Sequence, residues 1–190
     1  MHTTQYKPYR FVIAGFILIF NIFYGINFGL VGPLLPLIMD HHDIGPGLAG
    51  LLVSVVLFAH AVLFIPATML SGRMPVKLAF GLGWLLSGAT VFTFLIDSFP
   101  VFVTLRAIFG LGLCLTFPVT ARIVMGWFKA RELPVVNSLN VTAFTVGLGT
   151  GTFIAIPITL RIGWENTFSM FGAILLAGGL AWLLIIKLPE

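Results

Sequence analysis

Charge is what this sequence lacks. Of its 190 residues only 8% are charged, while 59% are hydrophobic. A soluble domain carries about 25% charged residues, so this chain could not clothe its own surface in water, and a polytopic membrane protein is the class left. There is one cysteine, Cys114, which excludes an internal disulfide and every multi-cysteine metal motif, and no metal ligation is expected. The net charge of +4 is too small and too scattered to form a nucleic-acid surface. At about 20 residues per span the chain holds about six or seven crossings and leaves no room for a soluble catalytic domain. Neither an enzyme nor a soluble cofactor is therefore expected. The first apolar stretch runs from Phe11 to Met39, far longer than a signal-peptide core, so no cleavable signal is expected either.

What is present is a series of apolar runs separated by short polar breaks. The breaks are Asp40-His41-His42-Asp43 with Gly45-Pro46-Gly47, Ser71 to Pro75, Asp97 to Pro100, Lys129 to Pro134, and Arg161 to Asn166. They delimit one all-α membrane domain over residues 1–190, with six transmembrane helices at about 11–38, 48–70, 78–96, 101–125, 135–160 and 166–186. Short loops make neighbouring helices antiparallel. Lys7, Arg10, Arg73, Lys77, Lys129, Arg131 and Lys187 fall on one side, whereas the opposite loops carry only Arg161 beside Asp40, Asp43 and Asp97. The expected place is thus the cell membrane, with both termini in the cytoplasm. Gly25 with Gly29, and Gly147 with Gly151, have the spacing that lets membrane helices approach closely. Pro33, Pro66, Pro118 and Pro157 each free a backbone carbonyl, which suits helices bent either around a wet cavity or simply to pack.

No Asp or Glu lies within any of the six spans, so this part of the protein offers no carboxylate to a cation or a proton. Two arginines do, in the fourth span. Arg106 either snorkels to the outer surface or faces a polar cavity on a substrate path. Arg122 either bends to the cytoplasmic interface or points inward. His60, near the middle of the second span, is either a neutral imidazole bonded to a neighbouring helix or a proton or solute contact. Asn21, Tyr24 and Phe28 share a stripe of the first span with Asn27 to one side, and Asn137, Asn140 and Phe144 make a similar stripe in the fifth. Such amides either bond a neighbouring helix or grip a small polar solute. An intramembrane serine protease would need a serine beside a histidine base, and no Gly-x-Ser-x-Gly stretch is present. A channel would need a filter loop or rings of charge.

The stretch Arg106-Ala-Ile-Phe-Gly110-Leu-Gly112, then Phe117-Pro118, then Gly126-Trp127-Phe128-Lys129-Ala130-Arg131-Glu132, resembles the fourth helix and following loop of the major facilitator superfamily. From Asn137 through Gly147, Gly151 and Pro157 to Gly163-Trp164-Glu165-Asn166-Thr167-Phe168 and Gly172, the chain is similar to that family's fifth and sixth helices. The resemblance implies a six-helix N-terminal half of a major facilitator fold. In the loop between the second and third helices, Leu70, Arg73 and Lys77 match the family's conformational signature. Thr68 and Pro75 replace its two glycines there, and Gly72 its aspartate, a residue the family associates with latching the two halves in the outward-facing state. Arg106 matches the family's fourth-helix arginine, and the general pattern is similar to anion-handling and cyanate-type permeases.

The expected function is secondary active transport of a small organic or inorganic anion by alternating access, with the site near mid-membrane. Arg106 would attract the anion, Asn21, Tyr24, Asn137 and Asn140 would hydrogen-bond it, and His60 would carry a co-transported proton or touch the solute. Alternatives are a drug or metabolite exporter of the same fold, a channel, or a non-transporting membrane subunit. The expected partners are the solute, the lipid bilayer, and a second six-helix half or a second copy of the chain. The ending Lys187-Leu-Pro-Glu190, where a central cytoplasmic loop would begin, favours the separately encoded half, so a lone monomer is not expected to transport.

Overall fold

The computed structural model describes residues 8–95 and 97–187; Lys7, Ile96 and residues 188–190 lie outside the described residues. Helix α1 (Tyr9–Gly29) runs through Leu30, which keeps helical angles, into α2 (Val31–His42). Pro33 withholds the amide that would bond the Gly29 carbonyl, and the helical pattern lapses one residue later. Thr152 of the fifth span comes close to it: its Oγ1 lies 3.4 Å from that carbonyl oxygen and 3.0 Å from the Leu148 carbonyl of its own helix. The second span is α3 (Pro46–Ala49) with α4 (Leu51–Gly72), and the third is α5 (Val76–Ser87) tightened into a 3-10 segment over Gly88–Leu95. Then follow α6 (Phe99–Trp127), a 3-10 turn at Ala130–Glu132, α7 (Leu133–Ile162) and α8 (Trp164–Ile185). Six of the described helices are long and apolar enough to cross a membrane. Pro66, Pro118 and Pro157, like Pro36, sit inside continuous helices rather than ending them.

Hydrogen bonds show which loops share an end of the bundle. At the basic end Arg10 pairs with Glu132 at 2.9 Å, the Lys187 amide donates to the Tyr9 hydroxyl at 2.8 Å, and Trp182 Nε1 donates to the Lys77 carbonyl at 2.9 Å. At the acidic end His41 Nε2 stands 2.9 Å from Asp97 Oδ1 and 3.9 Å from Glu165 Oε1. There α2 stops at Asp43, whose left-handed angles (φ 50°, ψ 50°) turn the chain out of the helix. Beside it, burial first and the neighbouring His41 second hold the His42 imidazole below its ordinary range, while Asp97 and Glu165 act the other way.

Lipid offers little hydrophobic drive for helix association, so close backbone approach must hold the bundle. Gly25 and Gly29 of α1 lie against the Phe144 and Leu148 backbone of α7, and Gly147 and Gly151 of α7 lie against the Ile22 and Ile26 backbone of α1. Gly83 of α5 meets Gly112 of α6 in the same way, and Gly172 of α8 rests on the backbone at Thr90 and Val91. Aromatic rings fill the remaining space. Phe20, Phe80 and Trp84 contact one another toward the basic end, where Phe80 also meets Trp182. Phe102, Trp164 and Phe168 cluster toward the acidic end. Helices α4 and α7 stay the most open, with Phe58, Ile65, Phe153 and Leu160 exposed.

Candidate solute site

Arg106 is fully buried in α6, which excludes the snorkelling alternative. Its Nε donates to the Leu52 carbonyl at 3.3 Å, and its Nη1 donates to the Asn27 carbonyl at 3.3 Å and to Asn27 Oδ1 at 3.0 Å. Asn27 in turn donates to Thr90 Oγ1 at 2.8 Å. One guanidinium thereby ties together the first, second, third and fourth spans. The rings of Phe109, Phe168 and Phe28 surround it at 4.7, 5.8 and 6.0 Å. Every one of these acceptors is neutral. A buried cation without a counter-charge costs several kcal/mol unless something negative visits it, and intramembrane charges held this way mark ligand or proton paths.

Two polar atoms in this region are left over. Arg106 Nη2 is buried with no hydrogen-bond partner, and so is the Tyr24 hydroxyl. The Tyr24 ring stacks on Phe109 with centroids 4.2 Å apart and planes 8° from parallel, so one phenylalanine touches both side chains. A buried donor without an acceptor costs about 1–3 kcal/mol, and more when it is charged.

The other site residues expected from the sequence fall into separate groups. Asn21 donates to Asn140 Oδ1 at 3.4 Å and to its own helix at Ile17, on the seam between α1 and α7. That seam borders a groove of about 540 Å³ at the basic end, lined by Arg10, Ala14, Glu132, Val136 and Asn140 among others. Asn137 is exposed on α7. His60 is half-buried on α4, with its Nδ1 3.6 Å from Cys114 Sγ and its ring against Phe64 and Phe117. Leu70, in the last turn of α4, and Arg73, just after it, are exposed; Arg122 donates to the nearby Ser71 carbonyl at 2.8 Å, and Lys77 is half-buried at the start of α5.

The stripe Asn21–Tyr24–Phe28 divides because three residues advance a helix by about 300°, not a full turn. Tyr24 and Asn27 turn inward while Asn21 stays at the edge. Asn27, set to one side by that pattern, is the hub of the buried network, and Thr90 and the Leu52 carbonyl complete it. The only local signal for them was an amide and a hydroxyl in otherwise apolar runs.

The family model described as Major Facilitator Superfamily matches residues 17–190. The chain belongs to the Major Facilitator Superfamily. An uncharacterized protein of Campylobacter jejuni is 26% identical over 173 residues, covering 90% of this facilitator chain and 54% of the relative. Monocarboxylate transporter 6 of Mus musculus is 32% identical over 89 residues, 47% of this chain and 19% of the relative. A probable galactarate/D-glucarate transporter of Escherichia coli is 32% identical over 91 residues, 46% of this chain and 19% of the relative. The facilitator chain thus spans about half the length of the first of these relatives and less of the other two. Its six-helix bundle is a half of the major facilitator fold, in a multi-pass membrane protein.

Proposed function

We propose that this chain is the six-helix half of a secondary active transporter that moves a small organic anion by alternating access, with Arg106 as the anion's counter-charge. The observation that carries the reading is the buried guanidinium held only by neutral acceptors, with Nη2 and the nearby Tyr24 hydroxyl both unpartnered. A carboxylate would satisfy both donors at once, through a charge-assisted bond to the arginine and an O–H bond from the tyrosine. Access would require Phe28, half-buried and 6.0 Å from the guanidinium, to swing aside. Two relatives are named for carboxylates, a monocarboxylate and galactarate/D-glucarate, which favours an organic acid over a cation.

Asn21 and Asn140 would line the solute's route on the open face, with Asn137 at its mouth, and His60 would exchange the coupled proton. The exposed turn at Leu70 and Arg73, with Lys77, would be the loop that rearranges between states. The basic end would lie in the cytoplasm, a placement the distribution of Lys and Arg favours.

A second six-helix half, or a second copy, would supply the opposite wall. Support comes from α7, where Ser138, Thr142, Thr145, Gly149 and Thr152 recur at alternating spacings of four and three and are all exposed. A hydroxyl stripe of that kind suits a helix partner or a wet cavity better than lipid tails. The test is uptake by vesicles from cells that express the chain together with the half or copy that completes it, using labelled monocarboxylates, dicarboxylates, a neutral sugar and an organic cation, with and without a pH gradient. Carboxylate uptake enhanced by the gradient supports the reading, and uptake of the cation alone would refute it.

A further inference from the structure

The acidic end holds a group of side chains that neither the buried arginine nor the expected transport path uses. His41 and His42 close α2, Asp97 lies in the loop after the third span, and Glu165 begins α8. One ligand atom from each of His41, His42 and Asp97 can be chosen so that all lie within 4.8 Å of one another. We propose that His41, His42 and Asp97 form a binding site for a divalent transition-metal ion of the zinc class, with Glu165 available as a second carboxylate.

The distances suit it. Ligands about 2.0–2.1 Å from a tetrahedral zinc ion stand about 3.3 Å apart. His41 Nε2 is 2.9 Å from Asp97 Oδ1 and 3.9 Å from Glu165 Oε1, so these separations lie on both sides of that value. All the ligand atoms lie within 4.8 Å of one another, so no separation needs to close by more than about 1.5 Å, and Asp97, whose side chain is 90% exposed on its loop, is free to adjust. The imidazoles, in contrast, are held in place. Their rings meet edge to face with centroids 4.7 Å apart, and both pack on Trp164, at 5.5 and 5.7 Å. Phe99 contacts His42 at 5.7 Å. Ligands whose orientation is fixed by packing need less ordering on binding.

A second observation points the same way. His42 Nε2 is buried and has no hydrogen-bond partner, so this imidazole is not committed to a protein contact through that nitrogen. Two imidazoles with carboxylates suit zinc, cobalt or nickel rather than calcium or magnesium, which take oxygen ligands. Because the ligands come from the end of the first span, the loop after the third and the start of the sixth, a bound ion would clip three spans together at one end.

The test uses the tag-free 190-residue chain in mild detergent, titrated with Co2+ and then Zn2+. The expected result is one ion bound per chain, a cobalt spectrum without a thiolate charge-transfer band, and a higher unfolding temperature in zinc. His41→Gln, His42→Gln and Asp97→Asn should each weaken binding at least tenfold, while His60→Gln should leave it unchanged. Asp97→Asn lies on an exposed loop and keeps the fold, so it separates loss of a ligand from loss of structure. Absence of stoichiometric binding would mean that His41 and Asp97 form only an exposed ion pair, and would overturn the proposal. So would wild-type affinity in Asp97→Asn together with His41→Gln.

Discussion

Replacing Gly147 by alanine probes the contact that holds the first and fifth spans together. A Cβ at this position would fall on the Ile22 carbonyl, with Ile22 Cα only 2.9 Å away, whereas ordinary contact begins at 3.4 Å. The obstructing atoms are backbone, so no side-chain rotation relieves them and α1 and α7 must part by at least about 0.5 Å, the difference between those distances. Overpacking of this kind costs about 1–3 kcal/mol. Against it stands the helix-propensity gain of alanine over glycine, about 0.5–1 kcal/mol. Gly149, two residues along the same helix, has nothing within 4 Å of the added carbon, so there only the gain applies. With roughly 2–4 °C per kcal/mol for a domain of this size, Gly147→Ala should lower the unfolding temperature by up to about 10 °C and Gly149→Ala should raise it by about 1–4 °C. Thermal unfolding in mild detergent, followed as loss of the monodisperse species, reads both. Equal shifts, or Gly147→Ala the more stable of the two, would refute the close-packing reasoning.

Further outcomes concern the network and the orientation. Asn27→Ala removes the Oδ1 acceptor of one Arg106 bond, keeps the backbone carbonyl that accepts the other, and leaves a buried charge less satisfied, so it should destabilise the bundle by about 1.5–3 kcal/mol. Thr90→Val, which leaves the buried Asn27 amide donor without its acceptor, should cost about 1–3 kcal/mol, and the two changes should fail to add in a double-mutant cycle. Cysteines placed at Lys129 and at Asp43, with buried Cys114 retained, should be labelled in intact cells by an impermeant maleimide only at residue 43. Labelling of residue 129 would reverse the proposed orientation.

Hydropathy made the six spans legible because a bilayer demands long apolar runs and punishes charge between their ends. The spacing of Gly25 with Gly29 and of Gly147 with Gly151 announced close packing, but it could not say that these two pairs lie on facing helices. The first span is an example of what periodicity misses. Its apolar run is continuous, yet Pro33 interrupts the helical bonding at Leu30 and the helix then continues to His42, past the polar residues that signal a stop. The third span likewise tightens to a 3-10 form after Ser87, where Thr90 and Val91 lie against Gly172. Arg106 stood out as an intramembrane charge, but its partners lie 54 and 79 residues away and no local pattern names them. His41, His42 and Asp97 read as loop punctuation, since only the fold brings residues 41 and 97 to 2.9 Å.

The most direct test of the anion-transport reading is uptake of a labelled carboxylate at fixed external pH by vesicles in which wild-type, Arg106→Ala or Arg106→Lys chain is assembled with the half or copy that completes it, at matched, correctly inserted levels. Loss of uptake in Arg106→Ala, with partial recovery in Arg106→Lys because the charge returns without the planar fork, is the predicted result. Wild-type uptake by Arg106→Ala would contradict it.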